Sequence, residues 1–190
     1  MALPEEKRYT FADILEWDDD VRVELINGVP CMMAPPLTVH QEISGELYGQ
    51  LYNFLKGKKC RVYAAPFGVR LFGKKEDAPE KIDGYLEPDI TVVCDRSKLD
   101  QYGCQGAPDL IIEILSPSTQ RRDRLTKLNL YREAGVREYW IVDPERKFVQ
   151  TMVLDEGSYP VAQVYTPADK VPVTVLEGCE IDLSAVFEEK

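Results

Sequence analysis

The stretch Leu110-Ile111-Ile112-Glu113-Ile114-Leu115 constrains this chain more than any other. A nearly continuous apolar run of that length reads as a central strand covered on both faces. Yet it carries a carboxylate at its fourth position. An ionised carboxylate buried in such a strand costs several kcal/mol unless it is paired or bound to a metal. The fold must therefore bury this strand and also give Glu113 a partner. Ser116-Pro117-Ser118-Thr119 ends the run and caps a helix extending to about Ala134, where Gly135 stops it. Glu138–Val142 reads as another buried strand, so the segment forms a β-α-β unit.

The remaining elements build outward from that unit. Thr10-Phe11-Ala12-Asp13 opens a short amphipathic helix, with Thr10 as N-cap and Asp13 in a capping-box position. Val21–Ile26 and Val29–Ala34 flank Asn27-Gly28, a strong hairpin signal, and Pro35-Pro36 breaks the second strand. From Thr38 to Lys56 the residues Ile43, Leu47, Leu51, Phe54 and Leu55 recur at helical spacing. Strand-like runs cover Cys60–Ala64, Gly68–Phe72 and Glu87–Cys94, and a hairpin partner for Glu138–Val142 follows at Phe148–Leu154. A β segment from Tyr159 to Tyr165 is expected to end the regular structure. Hairpins mixed with one β-α-β unit imply an α/β class with a mixed sheet. The 190 residues suit one domain: an N-terminal helix and hairpin over 9–34, a core over about 38–154, and a C-terminal β extension over 155–190.

Several classes are excluded. No stretch approaches the roughly 20 apolar residues that span a bilayer, and the N-terminus lacks the basic start and apolar run of a signal peptide. Five scattered cysteines (Cys31, Cys60, Cys94, Cys104, Cys179) contain no Cys-x-x-Cys pair, so reduced thiols in a cytoplasm are expected. Gly68-x4-Gly73-Lys74 resembles a phosphate-binding loop, but Lys75 stands where its Ser or Thr belongs, and Val69-Arg70-Leu71-Phe72 alternates like a strand. His40 is the only histidine. It excludes every site needing two and is expected in a hydrogen-bonding or supporting role beside the long helix. The net charge of −10 opposes nucleic acid taken globally. It is unevenly placed, however. Residues 56–75 hold Lys56, Lys58, Lys59, Arg61, Arg70, Lys74 and Lys75 without an acid, and residues 121–137 hold six bases against Asp123 and Glu133.

Two more acids stand in awkward places. Asp89 opens a β run after Pro88, and Glu24 lies in Val-Glu-Leu-Ile, where it could face either way. Lys127 falls among Leu130, Tyr131 and Ala134 on a helical wheel rather than on a wet face. Carboxylates from neighbouring strands make an oxygen-rich site for Mg2+ or Mn2+, and a lysine beside them can orient a water and stabilise charge on a phosphoryl group. The bland readings are a self-satisfied Glu113–Lys127 ion pair, an Asp89 that only makes a turn, and a Glu24 on the surface.

Glu87-Pro88-Asp89, Pro108 to Thr119, Asp123-x-x-x-Lys127-x-x-x-Tyr131 and Gly135 to Pro144 together resemble the bacterial putative restriction endonuclease family of the PD-(D/E)XK nuclease superfamily. Glu24-Leu25-Ile26-Asn27-Gly28 and His40-Gln41 match its pattern as well. The resemblance implies a restriction-endonuclease-like mixed β-sheet flanked by helices, and metal-dependent endonuclease hydrolysis of DNA phosphodiester bonds. It matches Asp89 and Glu113 to the two metal-holding acids and Glu24 to the acid from the N-terminal region. Leu115 replaces the pattern's lysine two residues after Glu113, and Lys127 is the matching cation on the next helix. Arg121, Arg122 and Arg124 are the expected DNA-phosphate contacts, with Lys58 and Lys59 as weaker ones; His40 and Gln41 are supporting residues. The expected assembly is a cytoplasmic homodimer on double-stranded DNA with Mg2+ (or Mn2+) and no membrane. The alternatives are a non-catalytic DNA- or protein-binding domain of the same fold, and a metal-dependent hydrolase of RNA or nucleotides.

Overall fold

The computed structural model of the chain describes residues 7–18, 22–116 and 120–188, without the side chains of 120–124. Its elements run α1 (Phe11–Leu15), β1 (Val23–Ile26), β2 (Val29–Met32), α2 (Thr38–Leu55), β3 (Arg61–Ala64), β4 (Val69–Arg70), β5 (Ile90–Val93), β6 (Leu99–Asp100), β7 (Gly103–Gln105), β8 (Leu110–Ile114), α3 (Gln120–Ala134), β9 (Glu138–Asp143), β10 (Phe148–Val153), β11 (Ala162–Tyr165), β12 (Lys170–Pro172), β13 (Glu180–Asp182) and α4 (Leu183–Val186).

Six strands form the main sheet in the order β11-β10-β9-β8-β5-β3. Its one parallel pair is β8 with β9, bridged by α3, and its neighbours pair antiparallel. This is the expected mixed α/β architecture. The apolar run of β8 is buried on both faces because alternate residues serve two cores. Leu110, Ile112 and Ile114 join Ile43, Leu47, Leu51 and Leu55 of α2. Ile111 and Leu115 instead meet Tyr131 of α3 with Val136 and Tyr139.

The local signals act as their chemistry dictates. Asp13 Oδ2 accepts from the Thr10 amide at 2.7 Å and hydroxyl at 2.9 Å, closing the capping box of α1. Asn27 and Gly28 both take positive φ, 49° and 74°, the turn that matches the twist of the β1–β2 hairpin. At the end of α3 the Gly135 amide bonds Arg132 O and the Val136 amide bonds Tyr131 O, with Gly135 at φ 87°. That is a Schellman motif, and it pins the last turns of α3 against the sheet.

Three expectations are corrected. The Gly68–Phe72 run shortens to β4 and leaves the main sheet for a separate three-stranded one, β4-β7-β6. Regular structure does not end at Tyr165: β12, β13 and α4 follow, and Val171, Ile181, Leu183 and Phe187 pack into the α2-side core. Elements of three or four residues are too short to show a hydrophobic period. The cysteines are not all reduced thiols, since Cys60 and Cys94 form a disulfide. The register of β3 on β5 pairs Arg61 with Val93, which sets these two cysteines opposite one another. Sequence spacing gives no hint of that register, and with the thiols goes the argument for a reducing compartment. Cys104 and Cys179 stay buried thiols, pushed up to about 11 by burial. No helix among the described residues is long and apolar enough to cross a membrane.

Candidate active site

Four elements converge at one end of β8. The hairpin brings Glu24 inward: Leu25 and Tyr85 exchange main-chain bonds at 2.6 and 2.9 Å, and this docks β1 beside the approach to β5. Glu24 is buried, and its Oε1 accepts from the Glu87 amide at 3.1 Å. Glu87 is itself clamped by Arg22 at 2.7 Å and by the Tyr85 hydroxyl at 3.0 Å. On β8, strand alternation turns Glu113 toward α3.

Lys127 is the centre of the cluster. Its Nζ lies 2.8 Å from Glu24 Oε1 and 3.0 Å from Glu113 Oε1, with 7% of the side chain exposed. Tyr131, one turn further along α3, donates its hydroxyl to Glu113 Oε1 at 2.5 Å. Among the described residues, both bonds to Glu113 therefore fall on one oxygen. Burial alone would lower the Lys127 pKa, but Glu113 and Glu24 reverse this and hold it above the ordinary lysine value, so the ammonium is a fixed cation. Burial pushes Glu113 up to about 7; Lys127 and the Tyr131 bond oppose the rise, while the Asp89 and Glu24 charges add to it. Burial also raises Tyr131, which keeps its phenol a proton donor.

Asp89 stands just before β5. The register Ile90 to Ile112, carried one residue further, sets it across from Glu113. Its Oδ2 accepts from the Ile114 amide at 2.7 Å, and its Oδ1 lies 3.1 Å from His40 Nε2. Burial works to lower the His40 pKa, but the bond and charge of Asp89 outweigh it and the net shift is upward. His40 Nδ1 is buried and, among the described residues, has no hydrogen-bond partner.

The structure thus gathers Glu24, Asp89, Glu113, Lys127 and His40 at one site. Gln41 sits exposed on α2 beside His40. Arg121, Arg122 and Arg124 lie in α3, and their side chains fall outside the described residues. The rest of the basic runs is partly spent within the fold. Arg70 is buried and bonded to Asp100 at 2.6 Å, Arg137 pairs with Asp109 at 3.0 Å, and Lys58 lies over the Phe54 ring. Leu115, where the pattern has lysine, is buried in the α3-side core, and Lys127 reaches the same carboxylate from the helix above. Sequence reasoning did not assign a role to Tyr131 or to the Glu87 amide. The four-residue spacing of Lys127 and Tyr131, which puts both on one helix face, was the available signal for the tyrosine.

A mixed sheet flanked by helices, with Glu24 and Glu113 held by Lys127 of the next helix and Asp89 across from Glu113, has the architecture of a restriction-endonuclease-like fold. Residues 11–184 match the family described as "Uma2: Putative restriction endonuclease", and the chain belongs to that family. A crystal structure titled as a putative nuclease belonging to DUF820, from Anabaena variabilis, shares the fold with a TM-score of 0.72 over 94% of this chain and 97% of that one, at 21% identity. An uncharacterized Synechocystis protein, slr1290, is 27% identical over 121 residues, which are 63% of this chain and 60% of that protein.

Proposed function

We propose that the chain is a metal-dependent endonuclease hydrolysing phosphodiester bonds of double-stranded DNA. The observation that carries this reading is the asymmetry of Glu113, whose two bonds among the described residues both fall on Oε1 while Asp89 stands opposite. Two hard carboxylates side by side suit Mg2+ or Mn2+. No three His, Cys, Asp or Glu side chains among the described residues group as a metal cage. Mg2+ is commonly taken by one or two carboxylates plus substrate phosphates, so the donor set fits it. Asp89 and Glu113 would hold the ion with the Ile114 carbonyl; Glu24, whose Oε1 is occupied, would reach it only through Oε2 or a water. The bound ion would lower the pKa of a water and offset charge on the scissile phosphate.

The chain's own residues supply the rest. The Lys127 ammonium has three N–H donors, and two are spent on Glu24 and Glu113. Its third is the one that can address the attacking water or the phosphate. Glu24 and the Glu87 amide fix the lysine in place, and His40 orients Asp89. Arg121, Arg122 and Arg124 at the start of α3 would contact flanking phosphates. A two-fold dimer would present one such site to each strand.

The test is cleavage of plasmid and linear duplex DNA with Mg2+ or Mn2+, beside RNA and nucleotides, for the wild type and D89N. The reading expects duplex cleavage that stops in EDTA and falls at least about 100-fold in D89N, the scale on which a group acting on developing charge matters. Duplex binding without cleavage, equal in both proteins, would support the non-catalytic alternative; cleavage confined to RNA or nucleotides would support the other.

A further inference from the structure

We infer that Tyr131 is a positioning residue for the metal-holding carboxylate, acting through Glu113 to keep Oε2 turned toward the ion. The inference rests on the metal-dependent reading above. Its geometry is local and complete. A carboxylate held by one cation can swing about its last torsion, a broad and soft one. Two donors converging on the same oxygen remove that freedom. Lys127 Nζ at 3.0 Å and the Tyr131 hydroxyl at 2.5 Å both meet Glu113 Oε1.

The phenol is itself held from three sides. Tyr131 is fully buried, its ring packs edge-on against Tyr139 with centroids 4.9 Å apart, and its carbonyl is fixed by the Val136 amide in the Schellman turn. Its hydroxyl therefore arrives at Glu113 in one orientation. The apolar surroundings also explain the residue type. A buried phenol donates a proton without adding a charge, whereas a second ammonium there would need a further acid. Hydrogen-bond partners of metal ligands commonly change metal affinity 10- to 100-fold when removed.

The experiment is calorimetric titration of Mn2+ into the full-length wild type, Y131F and Y159F, each with and without a phosphorothioate duplex that resists cleavage. Tyr159 is the control: its hydroxyl donates to Val136 O at 2.7 Å, just beyond α3, and among the described residues it makes no bond to the acids of the site. The expected result is Mn2+ affinity reduced about tenfold or more in Y131F and unchanged in Y159F; on a cleavable duplex, assayed alongside, Y131F should keep the KM for DNA while its kcat falls. Equal affinity in wild type and Y131F would overturn the inference and leave the metal-dependent reading standing. No Mn2+ binding by the wild type, alone or with duplex, would overturn both. NMR of the wild type labelled at the tyrosine ζ carbons does not depend on the variant folding: the Tyr131 signal should move on adding Mg2+ while that of Tyr159 stays, and a fixed Tyr131 signal in a protein that binds the ion would refute the inference.

Discussion

Two glutamates on adjacent strands of one sheet, Glu138 buried and Glu113 partly buried, meet burial in opposite ways. Glu138 of β9 lies fully buried on the α2 side, where its Oε1 accepts from Trp140 Nε1 at 2.7 Å and its Oε2 from the Val175 amide at 2.8 Å. Glu113 of β8 lies on the α3 side, where Lys127 and Tyr131 share a single oxygen. The first carboxylate is closed, each oxygen satisfied by a neutral N–H, one from Trp140 on β9 itself and one from Val175 that ties β9 to the C-terminal segment. The second is set against a lysine and, among the described residues, keeps one oxygen out of the network. A carboxylate used as cross-linking needs both oxygens bonded; one that must receive a ligand needs an oxygen in reserve. The surrounding cores follow suit. α2 buries only Ile43, Leu47, Leu51 and Leu55, whereas α3 buries Lys127 and Tyr131.

The largest expected effect tests what Lys127 contributes. K127M leaves Glu113 and Glu24 buried without their cation, and loss of one partner of a buried pair costs about 3–5 kcal/mol. Urea unfolding of K127M should show that loss at neutral pH. Adding L115K, which returns a lysine to the same strand face as Glu113, should recover part of it. A K127M protein as stable as the wild type would mean that the α3-side acids are not held as a charged network.

A smaller effect distinguishes the closed glutamate. Burial raises the Glu138 pKa, and the bonds from Trp140 and Val175 offset this only in part. The native state therefore holds this proton to higher pH than the unfolded chain does. Its contribution to stability is full below the ordinary carboxylate value, declines as pH rises toward the raised pKa, and is level above it. E138Q should lack that decline. Identical pH slopes for E138Q and wild type in urea unfolding would show that Glu138 carries no such shift.

The sequence showed Glu113 more clearly than Glu138, although Glu138 is the more deeply buried of the two. In Leu110–Leu115 the carboxylate interrupts an otherwise apolar run, so its need for a partner could be read directly. Glu138 follows Arg137 at the first residue of its strand, where nothing in the local pattern marks its need for a partner. Its partner Val175 lies 37 residues away on a segment whose strands are too short to show a period. The same distinction runs through the fold. The long helices, the hairpin and the β-α-β unit announce themselves through 3.6-residue spacing, Asn27-Gly28 and Gly135, all local signals. The Cys60–Cys94 bond and the departure of β4 from the main sheet depend on register between distant segments, which no local pattern encodes. Within the site, Lys127 was legible because its wheel neighbours are apolar. The direction of Glu24 was not, since a strand of four residues offers two faces and only the docking against Tyr85 chooses one.

The most direct measurement is calorimetric titration of Mg2+ into wild type, E113Q and E138Q, alone and with an uncleavable duplex. The account predicts the same binding constant for wild type and E138Q and no binding for E113Q. Binding by E113Q equal to that of the wild type, or a loss in E138Q as complete as in E113Q, would contradict the assignment of the ligand-receiving carboxylate to Glu113.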